Sequence, residues 1–160
     1  MIHEVYTAAD DTSTLPELGR GTIGSALEVA MSRPPAAVVR TLDSVEAVTV
    51  PRCRGASLKI LLGPESGVPH FITRQFTLDP GGRIPCHRHD DIEHEQVVLE
   101  GSMVLGLGSR EVEVGPGDSV FIPAGVSHWY ENRNTVPVRF LCVVPRTADY
   151  QTEWLEEPVD

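Results

Sequence analysis

From Ala37 onward, glycine and proline clusters cut this chain into pieces too short for long helices. The breaks fall at Gly63-Pro64, Asp79-Pro80-Gly81-Gly82, Gly108-Ser109 and Gly115-Pro116-Gly117-Asp118. Between them lie short runs rich in β-branched and aromatic residues: Val38–Leu42, Ala47–Val50, Ser57–Leu62, Phe71–Leu78, Glu95–Glu100, Met103–Leu107, Glu111–Val114, Ser119–Ile122 and Val138–Val144. Runs of this length and spacing, with no long amphipathic helix among them, predict an all-β sandwich or barrel. Helix is expected only in a turn or two around Ser25–Ala30 and Tyr150–Leu155. In the closing Glu153-Trp154-Leu155-Glu156-Glu157, Trp154 and Leu155 are expected to anchor on the barrel and leave the acids in water.

Organisation follows from the same punctuation. Residues 37–148 read as the barrel and 149–160 as an acidic segment packing on it. Residues 1–36 read as an extension, loop-like and weakly patterned, with Met31 an alternative translation start. A mature start at Met1 or Ile2, read by mass spectrometry of the natively expressed protein, would exclude that start. At 160 residues the chain is long enough to bury a core as one domain.

Charge and cysteine usage narrow the functional classes. A net charge of −10 argues against nucleic acid or an anionic membrane as partner, and no apolar run approaches the length of a membrane span. The N-terminus lacks a basic region followed by an apolar stretch, so it does not read as a signal peptide. Cys53, Cys86 and Cys142 are odd in number and widely spaced, which suits a reducing cytosol rather than a disulfide framework.

Chemistry concentrates in the histidines. In a strand His87 and His89 share a face, and a turn at Asp90-Asp91 returns the chain with His94 facing the same pair. His128 adds a fourth imidazole from another strand. Neutral imidazole is the commonest ligand for borderline transition metals, so His87, His89, His94 and His128 are the candidate metal ligands. His3 and His70 have no partners in view and read as surface residues.

The two segments that carry these histidines resemble a known family. Gly81-x5-His87-x-His89-x4-His94-x6-Gly101 resembles the first cupin motif, with His94 where most cupins carry glutamate. Gly117-x5-Pro123-x-Gly125-x2-His128-x3-Asn132 matches the second cupin motif at every marked position. The similarity, to small single-domain four-histidine cupins, runs from about Arg54 through Pro145. It implies a double-stranded β-helix, or jelly-roll barrel, with a metal inside, and a homodimer. Glu93 and Glu95 flank His94 but face the other way in an extended strand, and the spacing to Gly101 puts His94 at the ligand position. A bulge shifting the register by one would undo that assignment.

By the same resemblance, Arg74, Phe76, Ile84, Phe140 and Cys142 line the barrel beside the metal. Plain core packing is the rival reading for Phe76 and Phe140. A guanidinium inside a barrel needs an anion or carbonyl, so Arg74 is expected to fix an acidic substrate or a buried carboxylate. Trp129 and Tyr130 either cover the entrance or fill the far side of the sheet. The resemblance favours Mn or Fe as the divalent metal, with Zn, Ni, Co and Cu as alternatives. The expected function is a metal-dependent, dioxygenase-like oxidoreductase acting on a small organic substrate. A non-redox isomerase or lyase, or a non-catalytic small-molecule-binding cupin, are the alternatives.

Overall fold

A computed structural model describes residues 36–159 of the chain. The expected turn of helix at Ser25–Ala30 and the alternative start at Met31 lie outside the described residues. Ten strands form one curled sheet: β1 (Val48–Thr49), β2 (Arg54–Leu62), β3 (Phe71–Arg88), β4 (His94–Glu100), β5 (Met103–Leu107), β6 (Arg110–Val114), β7 (Ser119–Ile122), β8 (His128–Glu131), β9 (Val138–Pro145) and β10 (Glu153–Trp154). All pairings are antiparallel, in the order β6-β5-β8-β3-β9-β4-β7, with β2 and β10 also paired to β3 and β1 paired to β2. The fold is the all-β jelly roll expected.

The long β3 curls the sheet, and it overturns one expected break. Asp79-Pro80-Gly81-Gly82 does not end the strand but bends it. The half before the bend, Phe71–Leu78, pairs with β9, while the half after it pairs with β8 through Arg83, Ile84 and His87. Gly81 takes φ +74°, open to glycine at little cost. A Cβ on Gly82 would come within 2.8 Å of the carbonyl oxygens of Asp79 and Gly55, so only glycine lets the two backbones meet there. The bend is held by fully buried Asn132, whose Nδ2 donates to the carbonyls of Leu78 (3.0 Å), Asp79 (3.1 Å) and Val136 (2.8 Å). Backbone bonds from Gly81 N to Asn132 O and from Asn132 N to Gly82 O complete the clasp.

Two further expectations are corrected. Val38–Leu42 is not a strand: residues 36–44 are exposed, Val39 almost wholly, and Leu42–Ser44 is a single 3-10 turn. Among the described residues no strand neighbours its β-branched side chains to complete a ladder, and β propensity without a partner does not make a strand. Nor is Tyr150–Leu155 helical. Glu153 and Trp154 pair with Arg88 and His87 as an edge strand. Helix would scatter Tyr150, Thr152 and Trp154 around an axis, whereas the extended backbone turns all three the same way. Leu155 stays exposed, and Glu156 is not simply in water: it accepts from the Cys86 N–H (3.0 Å) and pairs with Arg83.

Inside the curl, alternation does what period two requires. Along β9, Val138, Phe140, Cys142 and Val144 are buried, and along β4 His94, Gln96 and Val98 are. Leu78, Leu105, Ile122 and Val138 have no exposed surface and, with Ile92 and Met103, form the packed centre.

Candidate metal centre

Three elements deliver the histidines. His87 lies at the end of β3 with His89 just beyond it, His94 opens β4 and His128 opens β8. All four are buried, and their rings cluster. Centroids lie 4.3 Å apart for His87 and His128, 5.3 Å for His87 and His89, 5.0 Å for His89 and His94, and 4.9 Å for His94 and His128. Pairing of His94–Val97 with Ser119–Ile122 runs without a bulge, and Glu93 and Glu95 point to solvent.

Hydrogen bonds fix the tautomers of three rings. Nδ1 lies 2.8 Å from Pro85 O in His87, 2.9 Å from Val126 O in His128 and 2.7 Å from Gln151 O in His89. A carbonyl can only accept, so each Nδ1 carries the proton and each Nε2 keeps a free lone pair. This is the arrangement by which proteins orient metal-binding imidazoles. One ring nitrogen from each of His87, His89 and His128 lies within 4.8 Å of the others, the geometry of a three-imidazole metal cluster. His94 stands outside that group. Its Nδ1 lies 3.4 Å from Cys142 Sγ instead of on a carbonyl, and its ring adjoins those of His89 and His128.

Electrostatics agree with the hydrogen bonds. Burial, then the neighbouring His128, pulls His87 down to about 3 and His94 to about 2. Burial pulls His128 to about 4 against the opposing Val126 carbonyl, and it lowers His89 against the Gln151 carbonyl. At neutral pH the rings are therefore neutral, the form that binds metal. Nε2 of His94 and of His128 are buried with no hydrogen-bond partner among the described residues. Orphaned buried polar atoms are costly, and a metal ion is the group that this donor set fits.

Around the imidazoles is a cavity of about 200 Å³. Arg74, Phe76, Ile84, Phe140 and Cys142 all line it. Cross-strand register explains their neighbours: Cys142 on β9 lies between Arg74 on β3 and Gln96 on β4, and Phe140 lies between Phe76 and Val98. Tyr130 faces the cavity, and Trp129 lies on the other side of the sheet. Trp129 covers Gly106, directly opposite on β5, and stacks against the Arg83 guanidinium at 4.8 Å. His70 is exposed.

Several lining residues escaped sequence reasoning. Gln96 sits two positions after His94, and strand alternation alone would have found it; Tyr130, expected either at the entrance or on the far side of the sheet, faces the cavity two positions after His128. Tyr150, Thr152 and Trp154 line the cavity from the C-terminal segment, a placement that the helical expectation for that segment hid. Tyr150 Oη lies 3.2 Å from Arg74 Nη1 and 3.4 Å from His89 Nε2.

A curled antiparallel sheet holding a histidine cluster against an aromatic-walled cavity defines a β-barrel protein built around a metal-type centre. Comparison with known proteins makes this specific. Residues 74–144 match the family model for the cupin domain, and the chain belongs to the cupin family. The polyketide cyclase RemF from Streptomyces resistomycificus is 33% identical, with 77% of this chain and 89% of that one covered and a TM-score of 0.68. The tetracenomycin polyketide synthase protein TcmJ of Streptomyces glaucescens is 27% identical over 128 residues, 79% of this chain and 76% of the relative. A cupin-superfamily sugar phosphate isomerase from Silicibacter pomeroyi is 29% identical, covering 72% and 80% of the two chains, with a TM-score of 0.64. Among the described residues no helix is long and apolar enough to cross a membrane.

Proposed function

We propose that this cupin is a metal-dependent enzyme of non-redox carbonyl chemistry, enolising and cyclising a polycarbonyl substrate of polyketide type. The observation that carries the reading is the cluster of neutral imidazoles in a cavity that no Asp or Glu lines among the described residues. His87, His89 and His128 would hold a divalent metal, with His94 as a fourth ligand. Bound there, such an ion would supply a Lewis acid of undiminished charge, which polarises a carbonyl and acidifies the adjacent C–H. Likeness to two proteins named for polyketide chemistry supports that substrate type.

The chain's own residues do the rest. Tyr150 accepts a bond from Arg74 and its O–H reaches the His89 Nε2 lone pair at 3.4 Å, so with that lone pair on a metal the polarised O–H is free for a substrate oxygen. Burial raises its pKa, against the lowering effect of Arg74, so it enters turnover as a phenol, able to donate. Phe76, Phe140 and Trp154 exclude water and hold a flat substrate in one plane.

The test is deuterium incorporation into the methyl group of 2-hydroxyacetophenone in D2O, followed by proton NMR beside an oxygen electrode. Protein purified without chelators, its metal identified by elemental analysis, should exchange the methyl protons without consuming oxygen, and EDTA treatment should abolish exchange. Oxygen consumption would replace this reading with the oxygenase expected from sequence. Neither signal, with tight ligand binding, would make the protein a binding module.

A further inference from the structure

The cavity is charged opposite to the protein that encloses it. Asp and Glu number 23 in the chain against 13 Lys and Arg, yet among the described residues no acid lines the cavity, and Arg74 is the one Lys or Arg that does. Arg74 is 9% exposed, and among the described residues it makes no salt bridge, although Arg83, Arg88, Arg133 and Arg139 all do. Its Nη1 donates to Tyr150 Oη and its Nη2 to Cys142 Sγ, both at 3.2 Å, while Nε is buried with no partner. Sulfur and phenol are weak acceptors for a guanidinium. A buried cation without an anion is held at substantial cost unless a ligand brings the missing charge.

The walls say what the anion is attached to. Phe76 and Phe140 stack at 5.2 Å and 8°, and Phe140 and Tyr130 at 5.4 Å and 15°, so three rings lie nearly parallel along one side. The guanidinium lies over the first of them, 5.3 Å from the Phe76 ring. An apolar cavity of about 150 Å³ accommodates a benzene, so the 200 Å³ here takes one ring with its substituents. A sugar phosphate fits less well: one guanidinium serves a dianion weakly, and Val50, Leu58, Phe76, Ile84 and Phe140 offer sugar hydroxyls no side-chain partner.

We infer that Arg74 is the specificity-determining residue of the cavity, and that the substrate it selects is a flat aromatic or enolic ring bearing a carboxylate. The carboxylate accepts from the guanidinium and the ring lies along the Phe76–Phe140–Tyr130 wall. The inference rests on the reading of this cavity as the substrate site, but not on the metal or on the reaction.

Calorimetric titration of the full chain with salicylate and with salicylamide tests it, in metal-loaded and EDTA-treated protein. The pair shares a ring and a hydroxyl and differs in charge. Salicylate is expected to bind at least about tenfold more tightly than the amide in both forms, tenfold being about 1.4 kcal/mol. Arg74→Gln should reduce that preference to within about twofold with metal content unchanged. Equal affinities in the wild type, a preference present only with metal, or a preference undiminished in Arg74→Gln would each overturn the inference. Should that variant not fold, arginine side-chain NMR of the wild type decides. The Arg74 Nε–H resonance must shift with salicylate and not with salicylamide, and an unmoved resonance refutes the proposal. Failure of the carbonyl chemistry would instead appear as absent deuterium exchange with the acid preference intact.

Discussion

Acidifying the metal-free protein should destabilise it steeply, and the structure sets the size of the effect. His87, His94 and His128 are held at about 3, 2 and 4 by burial, against 6.5 for a free imidazole. The unfolded chain therefore binds protons that the folded chain refuses, and stability rises with pH through this range. At pH 5.5 an unfolded histidine gains about 1.4 kcal/mol from protonation while a folded one with a pKa of 4 or below gains almost nothing. Three such groups remove about 4 kcal/mol between pH 7.5 and 5.5, a large share of a stability of about 5–15 kcal/mol. Urea denaturation of EDTA-treated protein at the two pH values reads this as a fall in midpoint at constant slope. Equal midpoints at pH 7.5 and 5.5 would refute the claim that these rings are buried in the neutral form.

Other outcomes follow from the same geometry. His94→Ala should weaken divalent metal binding by at least about tenfold, as loss of a ligand does, while Glu93→Ala and Glu95→Ala leave it within about twofold. Competition against a chelating dye measures this, and the reverse order would show that the register at β4 is misassigned. Asn132→Ala strips the donor from three carbonyls at the bend of β3 and should cost about 2–3 kcal/mol, read by thermal or urea unfolding. Gly106→Ala places a Cβ in the Trp129 ring, so the indole must leave its site over the sheet. The expected signs are altered tryptophan fluorescence and a loss of about 1–3 kcal/mol.

What the sequence made legible was whatever depends on period two and on turn chemistry. Alternation put His87 and His89 on one face, and turned Glu93 and Glu95 away from His94. Turn residues separated β5 from β6 and β6 from β7, with the start of β6 falling at Arg110 rather than Glu111. Legibility failed where one local signal has two structural uses. Asp79-Pro80-Gly81-Gly82 is as good a bend as a break, and the choice is made by Asn132, fifty residues later, whose side chain clasps the carbonyls before the bend. Val38–Leu42 has strand composition but no partner among the described residues, and partnership cannot be read from composition.

The C-terminal segment shows the limit most clearly, because it is part of the site. Tyr150, Thr152 and Trp154 alternate with polar Gln151 and Glu153, a strand pattern only five residues long and overridden by the helical reading, yet the backbone of this segment completes the histidine cluster. Gln151 O fixes the His89 tautomer at 2.7 Å, and Trp154 packs on the His87 ring at 5.0 Å. Tyr150 ties the same segment to Arg74. The segment is held from outside by Glu153 on Arg88 and Glu156 on Arg83, exposed or half-exposed pairs worth little singly. Its docking therefore depends on burying Trp154 and on the bonds to the barrel backbone from Leu155 N to Cys86 O and from Val159 N to Arg52 O. Trp154→Ala tests this coupling. Loss of the indole removes the main apolar anchor, so Gln151 should release His89, and metal affinity should fall although no ligand has been touched. A variant that keeps wild-type metal affinity while its C-terminal segment becomes sensitive to protease would show that the three barrel histidines hold their geometry without the segment.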